Sequence, residues 1–328
     1  MPTITIHDNK SFYCADSQTI LDAARASGIG LEYSCRSGRC GVCKSLVLEG
    51  SSENIKPELS LSDSDQSRGY ILTCCRTASS DLRLDADDLG RIGQIECKTL
   101  PCKIDKIGLV TDSIIEVVLR LPPTSALNYV PGQYIDVMGE NGIRRSYSIA
   151  NAPREDNKIV LQIRKVHDGV MSRYWFEEAK DNDLLRIEGP LGTFSLRDSS
   201  KPNLLLLATG TGIAPIKAML EELDRAQEKR FNRIDLYWGV RYPDEIYWIP
   251  RFDSLPIQLI RVISSMNKDE VMEKLYIQNA VIRNQLDLKN TTVYACGSEL
   301  MIRDARKLLT ENGLDSRHFY SDAFVSSS

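Results

Sequence analysis

Histidine is scarce in this chain. Three occur among 328 residues (His7, His167 and His318), and they form no cluster. No set of two histidines and a carboxylate for oxygen activation is visible, and no haem-type cysteine is evident. Long apolar runs are missing too: none approaches the roughly 18 residues of a membrane span. The N-terminus meets Asp8, Asn9 and Lys10 before a signal-peptide core could form. A cytoplasmic location with no membrane partner is expected. Charge of one sign is also lacking. Lys and Arg number 41 against 45 Asp and Glu, a net of −4, which offers no basic surface for nucleic acid. Internal repeats and low-complexity tracts are absent. Cysteine is the exception, with nine. An odd number in a long chain fits a cytosolic metal protein better than a disulfide scaffold.

Three of the nine stand close together, in Cys35-Arg36-Ser37-Gly38-Arg39-Cys40-Gly41-Val42-Cys43. A fourth follows in Leu72-Thr73-Cys74-Cys75. The spacing C-x4-C-x2-C with a distant fourth thiol is that of plant-type 2Fe-2S ferredoxins. Each iron needs two thiolates, and a short loop wraps the cluster only if three ligands sit close in sequence. Gly38 and Gly41 let backbone amides approach the inorganic sulfides. A structural zinc site would instead pair two short knuckles. Cys35, Cys40, Cys43 and Cys74 are the expected ligands, with Cys75 as competitor for the fourth place. Cys14, Cys97 and Cys102 carry no motif.

Three segments follow from the texture. Residues 1–92 hold short strands, a helix from Thr19 that stops near Gly28, and the cysteine loop. Their net charge is −3, from 13 acids and 10 bases. Residues 93–101 lose periodicity and read as a linker. Residues 102–199 carry strand patterns broken by Gly and Pro, as in an antiparallel barrel. Residues 200–328 alternate strands and helices, beginning with the apolar run Leu204 to Ala208, as in a parallel doubly wound sheet.

The middle segment contains Arg144-Arg145-Ser146-Tyr147-Ser148, which alone would read as an exposed strand. In this order of segments it resembles the R-x-Y-S flavin motif of the ferredoxin–NADP reductase superfamily. The resemblance implies that Arg145 pairs with a flavin phosphate, that Tyr147 lies on the isoalloxazine and that Ser148 meets flavin N5, with Ser146 beside them. Gly169-Val170-Met171-Ser172 is similar to the second family motif, which places Gly169, Met171 and Ser172 at the FAD diphosphate. Gly210-Thr211-Gly212-Ile213-Ala214-Pro215 follows a buried strand and opens a helix, where backbone amides meet a diphosphate. Pro215 stands where the dinucleotide fingerprint has its third glycine. Tyr294-Ala295-Cys296-Gly297-Ser298 with Met301 resembles the nicotinamide motif, implying a role for Cys296 beside the hydride path. Phe324, in Tyr320-Ser321-Asp322-Ala323-Phe324, stands where the family covers the flavin. After Gly239, Arg241 could meet a 2′-phosphate, whereas Asp244 and Glu245 would repel one. NADH is favoured over NADPH.

The domain order is that of the reductase components of bacterial oxygenases. Phrases such as Leu100-Pro101-Cys102-Lys103, Leu185 to Pro190 and Ser321 to Phe324 resemble the CDP-6-deoxy-3,4-glucoseen reductases of deoxysugar synthesis. The implied fold is a β-grasp ferredoxin, an antiparallel FAD barrel and an α/β NAD domain. The implied function is electron transfer from NADH through FAD and the 2Fe-2S cluster to a partner protein, a pyridoxamine-phosphate-dependent CDP-sugar dehydrase. The alternative partner is a terminal aromatic-ring oxygenase of terephthalate, benzoate or phenol type. One departure from the family is Ser264-Ser265-Met266-Asn267-Lys268, where a longer loop is usual.

Overall fold

The first seven strands are short: β1 Thr3–Thr5, β2 Ser11–Tyr13, β3 Lys44–Glu49, β4 Ser52–Asn54, β5 Tyr70–Leu72, β6 Arg76–Ala78 and β7 Leu82–Asp85. Five of them form a mixed sheet in the order β2-β1-β7-β3-β5, with β1 parallel to β7. Helix α1, Ile20–Ala26, buries Ile20, Leu21, Ala23 and Ala24, the spacing of one apolar face. The Thr19 hydroxyl caps it by accepting from the Asp22 amide at 3.0 Å, an arrangement that contributes about 1 kcal/mol. Gly28 follows at φ +71°, a left-handed stop. This is the β-grasp arrangement expected. The cysteine loop runs between α1 and β3 without regular structure, and β4 and β6 pair separately.

Among the residues of this computed structural model (1–139, 142–227, 229–265 and 276–325 are described), two compact units emerge. The first spans Met1–Glu96 with Gly192–Phe194, and the second the remainder. The segments read as the flavin and the nucleotide domains both lie in the second unit. Lys217 Nζ donates to the Ala150 carbonyl at 2.9 Å, and the Ala152 amide to Glu221 at 2.9 Å. The stretch 93–101 read as a linker is ordered at both ends. Helix α2, Asp63–Ser67, lies upstream; α3, Arg91–Gln94, opens the stretch, and strand β8, Lys98–Thr111, begins within it. Pro101 masked that strand, yet it faces Arg186 in regular register.

In the second unit, β8 joins β9 Ile114–Arg120, β10 Tyr134–Met138, β11 Arg144–Ser148, β12 Lys158–Arg164 and β13 Leu184–Leu191 in an antiparallel sheet ordered β11-β10-β13-β8-β9-β12. Ile149, just past β11, bridges Leu161 of β12. The two edge strands therefore meet, as the barrel pattern anticipated. The parallel sheet, β14 Asn203–Thr209, β15 Arg233–Val240, β16 Ile257–Ile263, β17 Thr291–Ser298 and β18 Phe319–Phe324, runs β16-β15-β14-β17-β18. The run Leu204 to Ala208 is at most 1% exposed, because a central parallel strand is covered on both faces. Each leucine there contributes about 2 kcal/mol of burial. The chain order reverses between β14 and β17, and ligands of such sheets bind at the carboxyl ends beside that switch. Met266, Asn267 and Lys268, the end of the shortened loop, lie outside the described residues.

Candidate functional site

The cysteine loop turns through left-handed backbone at Arg36 (φ +57°), Gly38 (+74°) and Gly41 (+72°). A Cβ on Gly38 would lie 2.2 Å from the Pro57 carbonyl oxygen, so only glycine fits there. The four expected ligands come together as two pairs. Cys35 and Cys40 share a side-chain hydrogen bond, and Cys43 Sγ donates to Cys74 Sγ at 3.3 Å. The bond from Cys40 brings the Cys35 thiol down to about 5, and bonds from Cys43 and Cys75 bring Cys74 down to about 3. Their partners Cys40 and Cys43 are pushed up by the same bonds, with burial adding to it. Among the described residues no three such side chains converge on one point. Two pairs suit two irons with two thiolates each, whereas a single zinc ion needs four donors around one centre. Amides also point inward: those of Ser37 and Cys40 donate to Cys35 Sγ, each at 3.4 Å. Cys75 turns its Sγ to the Pro57 carbonyl at 3.4 Å, while remaining 3.5 Å from Cys74 Sγ. The residues present therefore fit a 2Fe-2S cluster.

On β11, strand alternation sends Arg145 and Tyr147 to one face and Ser146 and Ser148 to the other. Trp175 Nε1 donates to the Tyr147 hydroxyl at 2.8 Å, and burial pushes that phenol up to about 12. Ser148 is buried; Ser146 donates to Asp136 at 2.6 Å. Arg145 donates to the Arg144 carbonyl at 2.8 Å. Gly169 precedes helix α4, Val170–Arg173, and Ser172 Oγ accepts from the Val166 amide at 2.8 Å. The Met171 side chain belongs to the barrel core, packed against Gly139. The residue is 4% exposed.

At the sheet switch, backbones meet directly. Gly210–Gly212 forms a tight turn into helix α5, Ile213–Arg225. A Cβ on Gly212 would lie 2.3 Å from the Cys296 carbonyl oxygen. Trp238 Nε1 donates to the Gly210 carbonyl at 2.9 Å, and Ser298 N to Thr209 Oγ1 at 2.8 Å. Thr211 is half-buried in that turn, and Pro215 is buried in α5. Cys296 has no exposed surface, and burial holds its thiol well above the ordinary range. Gly297 and Ser298 follow at the strand end. Phe324 of β18 pairs with Ser298 of β17 and is 41% exposed, so an aromatic does stand at that edge.

A cleft of about 500 Å³ opens there. It gathers Gly210, Gly239, Arg241, Ser298 and Met301 with Ser264 of the shortened loop, and also Arg164, Tyr276, Gln278 and Asp304, which the sequence did not single out. Gln278 opens helix α6, Ile277–Arg283, and is 8% exposed. Its Oε1 is buried without a hydrogen-bond partner among the described residues. Such an atom is costly unless a ligand supplies the donor, so the cleft fits a nucleotide rich in N–H and O–H groups. Glu245 corrects an expectation. Its Oε1 holds Arg164 at 2.5 Å, and its Oε2 accepts from the Arg241 amide at 2.8 Å. Buried in that clamp, it is spent on organising the turn, leaving exposed Asp244 as the acid near Arg241.

Comparison with known proteins yields three domain matches: a 2Fe-2S iron-sulfur cluster binding domain over residues 4–79, an oxidoreductase FAD-binding domain over 101–196 and an oxidoreductase NAD-binding domain over 206–307. The CDP-6-deoxy-L-threo-D-glycero-4-hexulose-3-dehydrase reductase of Yersinia pseudotuberculosis is 40% identical, covering 99% of this chain and 98% of its own. Reductase component 1 of the terephthalate 1,2-dioxygenase of a Comamonas species is 32% identical, covering 99% and 97%. The crystal structure of the Amycolatopsis cytochrome P450 reductase GcoB superposes with a TM-score of 0.78 at 25% identity, covering all of both chains.

Proposed function

Because the chain belongs to the family of NAD(P)H-dependent reductases that join 2Fe-2S, FAD-binding and NAD-binding domains, we propose that its electrons go to a CDP-4-keto-6-deoxyhexose 3-dehydrase in the cytoplasm. The observation that carries this choice of acceptor is the 40% identity, over nearly the whole of both chains, to a reductase of that dehydrase class. The second reading is a terminal aromatic-ring oxygenase, favoured by the 32% identity to a terephthalate dioxygenase component.

When bound, FAD would supply the chemistry of taking one hydride, that is two electrons with one proton, and of releasing those electrons singly, chemistry that belongs to the cofactors. The chain's residues hold and tune them. Cys35 with Cys40, and Cys43 with Cys74, would hold one iron each. Arg145 would neutralise a flavin phosphate, Tyr147 would flank the ring and the Ser148 hydroxyl would donate toward the flavin. The Gly169 turn with Met171 and Ser172 offers backbone to the FAD diphosphate. The Gly210–Gly212 turn, with Thr211 and the start of α5 at Pro215, receives the nucleotide diphosphate. Gly297, Ser298 and Met301 would shape the nicotinamide side, with Cys296 and Phe324 at the same strand ends as the residues that would flank the hydride transfer. Asp244 near Arg241 disfavours a 2′-phosphate, so NADH is the expected donor.

Purified chain mixed with NADH, the dehydrase and a CDP-4-keto-6-deoxyhexose is expected to form the 3-deoxy product. Turnover of an aromatic acid by a reconstituted oxygenase, with none in the sugar assay, would move the assignment to the second reading. The cleft gives a further expectation. Gln278→Leu removes the unpartnered acceptor, and the loss of one such hydrogen bond, about 1.4 kcal/mol, corresponds to about a tenfold rise in KM for NADH. An unchanged KM would separate Gln278 from nucleotide binding.

A further inference from the structure

Ser60 is a residue that the proposed roles leave unexplained. It lies between β4 and α2, in the stretch that crosses the cysteine loop. Its amide donates to the Gly38 carbonyl at 3.0 Å. Its Oγ is buried and has no hydrogen-bond partner among the described residues. The same oxygen lies 3.3 Å from where a Cβ on Gly41 would stand. Gly38 and Gly41 bracket Cys40, so the hydroxyl sits against the loop that carries this ligand.

Its position is fixed from both sides. Two residues upstream, Glu58 is clamped: Oε1 accepts from the Leu72 amide at 2.7 Å, and Oε2 from Arg76 Nε and a terminal nitrogen at 3.0 and 2.8 Å. One residue downstream, Leu61 packs on the core of the unit. A hydroxyl held this firmly and buried without a partner lacks an acceptor. The group most suited to fill that lack is a sulfur of the cluster, electron-rich and a hydrogen-bond acceptor.

We infer that the Ser60 hydroxyl donates a hydrogen bond to a sulfur of the bound 2Fe-2S cluster and raises its reduction potential. This rests on the cluster reading above. Reduction adds one electron to the cluster and makes its sulfurs more negative, so a donor stabilises the reduced form more than the oxidised one. Hydrogen bonds to the sulfurs are among the levers that set such potentials.

The test compares wild type, Ser60→Ala and Ser60→Thr as full-length holoprotein. Iron and labile sulfide are measured, and the midpoint potential is titrated with the cluster followed by electron paramagnetic resonance. Only loaded clusters contribute to that signal, so partial loading does not mask the result. The expected outcome is a lower potential in Ser60→Ala, with threonine restoring it toward the parent value. An alanine variant with the parent's potential overturns the inference. So does failure of both variants to load any cluster, which would make Ser60 a structural residue. Zinc without labile sulfide in the wild type would instead contradict the cluster reading beneath it.

Discussion

Cys40→Ser is expected to drop NADH-driven reduction of cytochrome c to background while ferricyanide reduction continues near the parent rate. Cytochrome c takes single electrons from the cluster, whereas ferricyanide accepts them from the flavin. Cys40 is the residue to change because it pairs with Cys35 and lies on the loop whose turns at Gly38 and Gly41 make the site. Serine keeps the size but replaces a soft thiolate with a poor ligand for iron. Cys75→Ser is the contrast. Its sulfur already meets the Pro57 carbonyl, so that variant should keep iron, labile sulfide and cytochrome c reduction. If Cys40→Ser retains both activities and an intact visible spectrum, Cys40 is not a ligand. If Cys75→Ser loses the cluster, the fourth ligand is Cys75 rather than Cys74.

Gly297→Ala should damage the other end of the electron path. Gly297 has φ +130°, and a Cβ there would lie 2.1 Å from Thr209 Oγ1 and 2.9 Å from the Thr209 carbonyl oxygen. Both neighbours belong to the adjacent strand, and Thr209 Oγ1 also receives the Ser298 amide. Neither can retreat without parting β14 from β17 at the nucleotide cleft. The expected cost is about 3 kcal/mol or more, the range of a forbidden backbone conformation combined with a clash. Melting of the flavin–nucleotide unit should fall, and KM for NADH should rise. The 2Fe-2S cluster, in the other unit, should keep its spectrum after chemical reduction. A parent-like melting curve and KM would show that the strands give way easily.

The parts legible in the sequence are those where chemistry imposes spacing. Four thiols around a binuclear cluster leave a pattern that no core requirement produces, and the structure brings those four together in pairs. The Leu204 to Ala208 strand and its glycine turn were visible because a central parallel strand must be apolar and a diphosphate turn must be small. Less legible were residues whose role depends on partners far along the chain. Glu245 looked like a selector of ribose, but Arg164, 81 residues away, takes its carboxylate. Met171 sits in a motif, yet its side chain fills the space left by Gly139. Gln278 and Ser60 carry no pattern at all; only burial without a partner marks them. The ordered start of β8 was hidden because Pro101 interrupts the alternation that betrays a strand.

NADH is expected to reduce the 2Fe-2S cluster through flavin within this one chain. Anaerobic titration of the holoprotein with NADH, followed by low-temperature electron paramagnetic resonance, tests it most directly. Bleaching of the flavin together with the resonance of a reduced 2Fe-2S cluster, at close to one spin per chain, is the expected result. A cluster that dithionite reduces but NADH leaves oxidised, although the flavin bleaches, would contradict it.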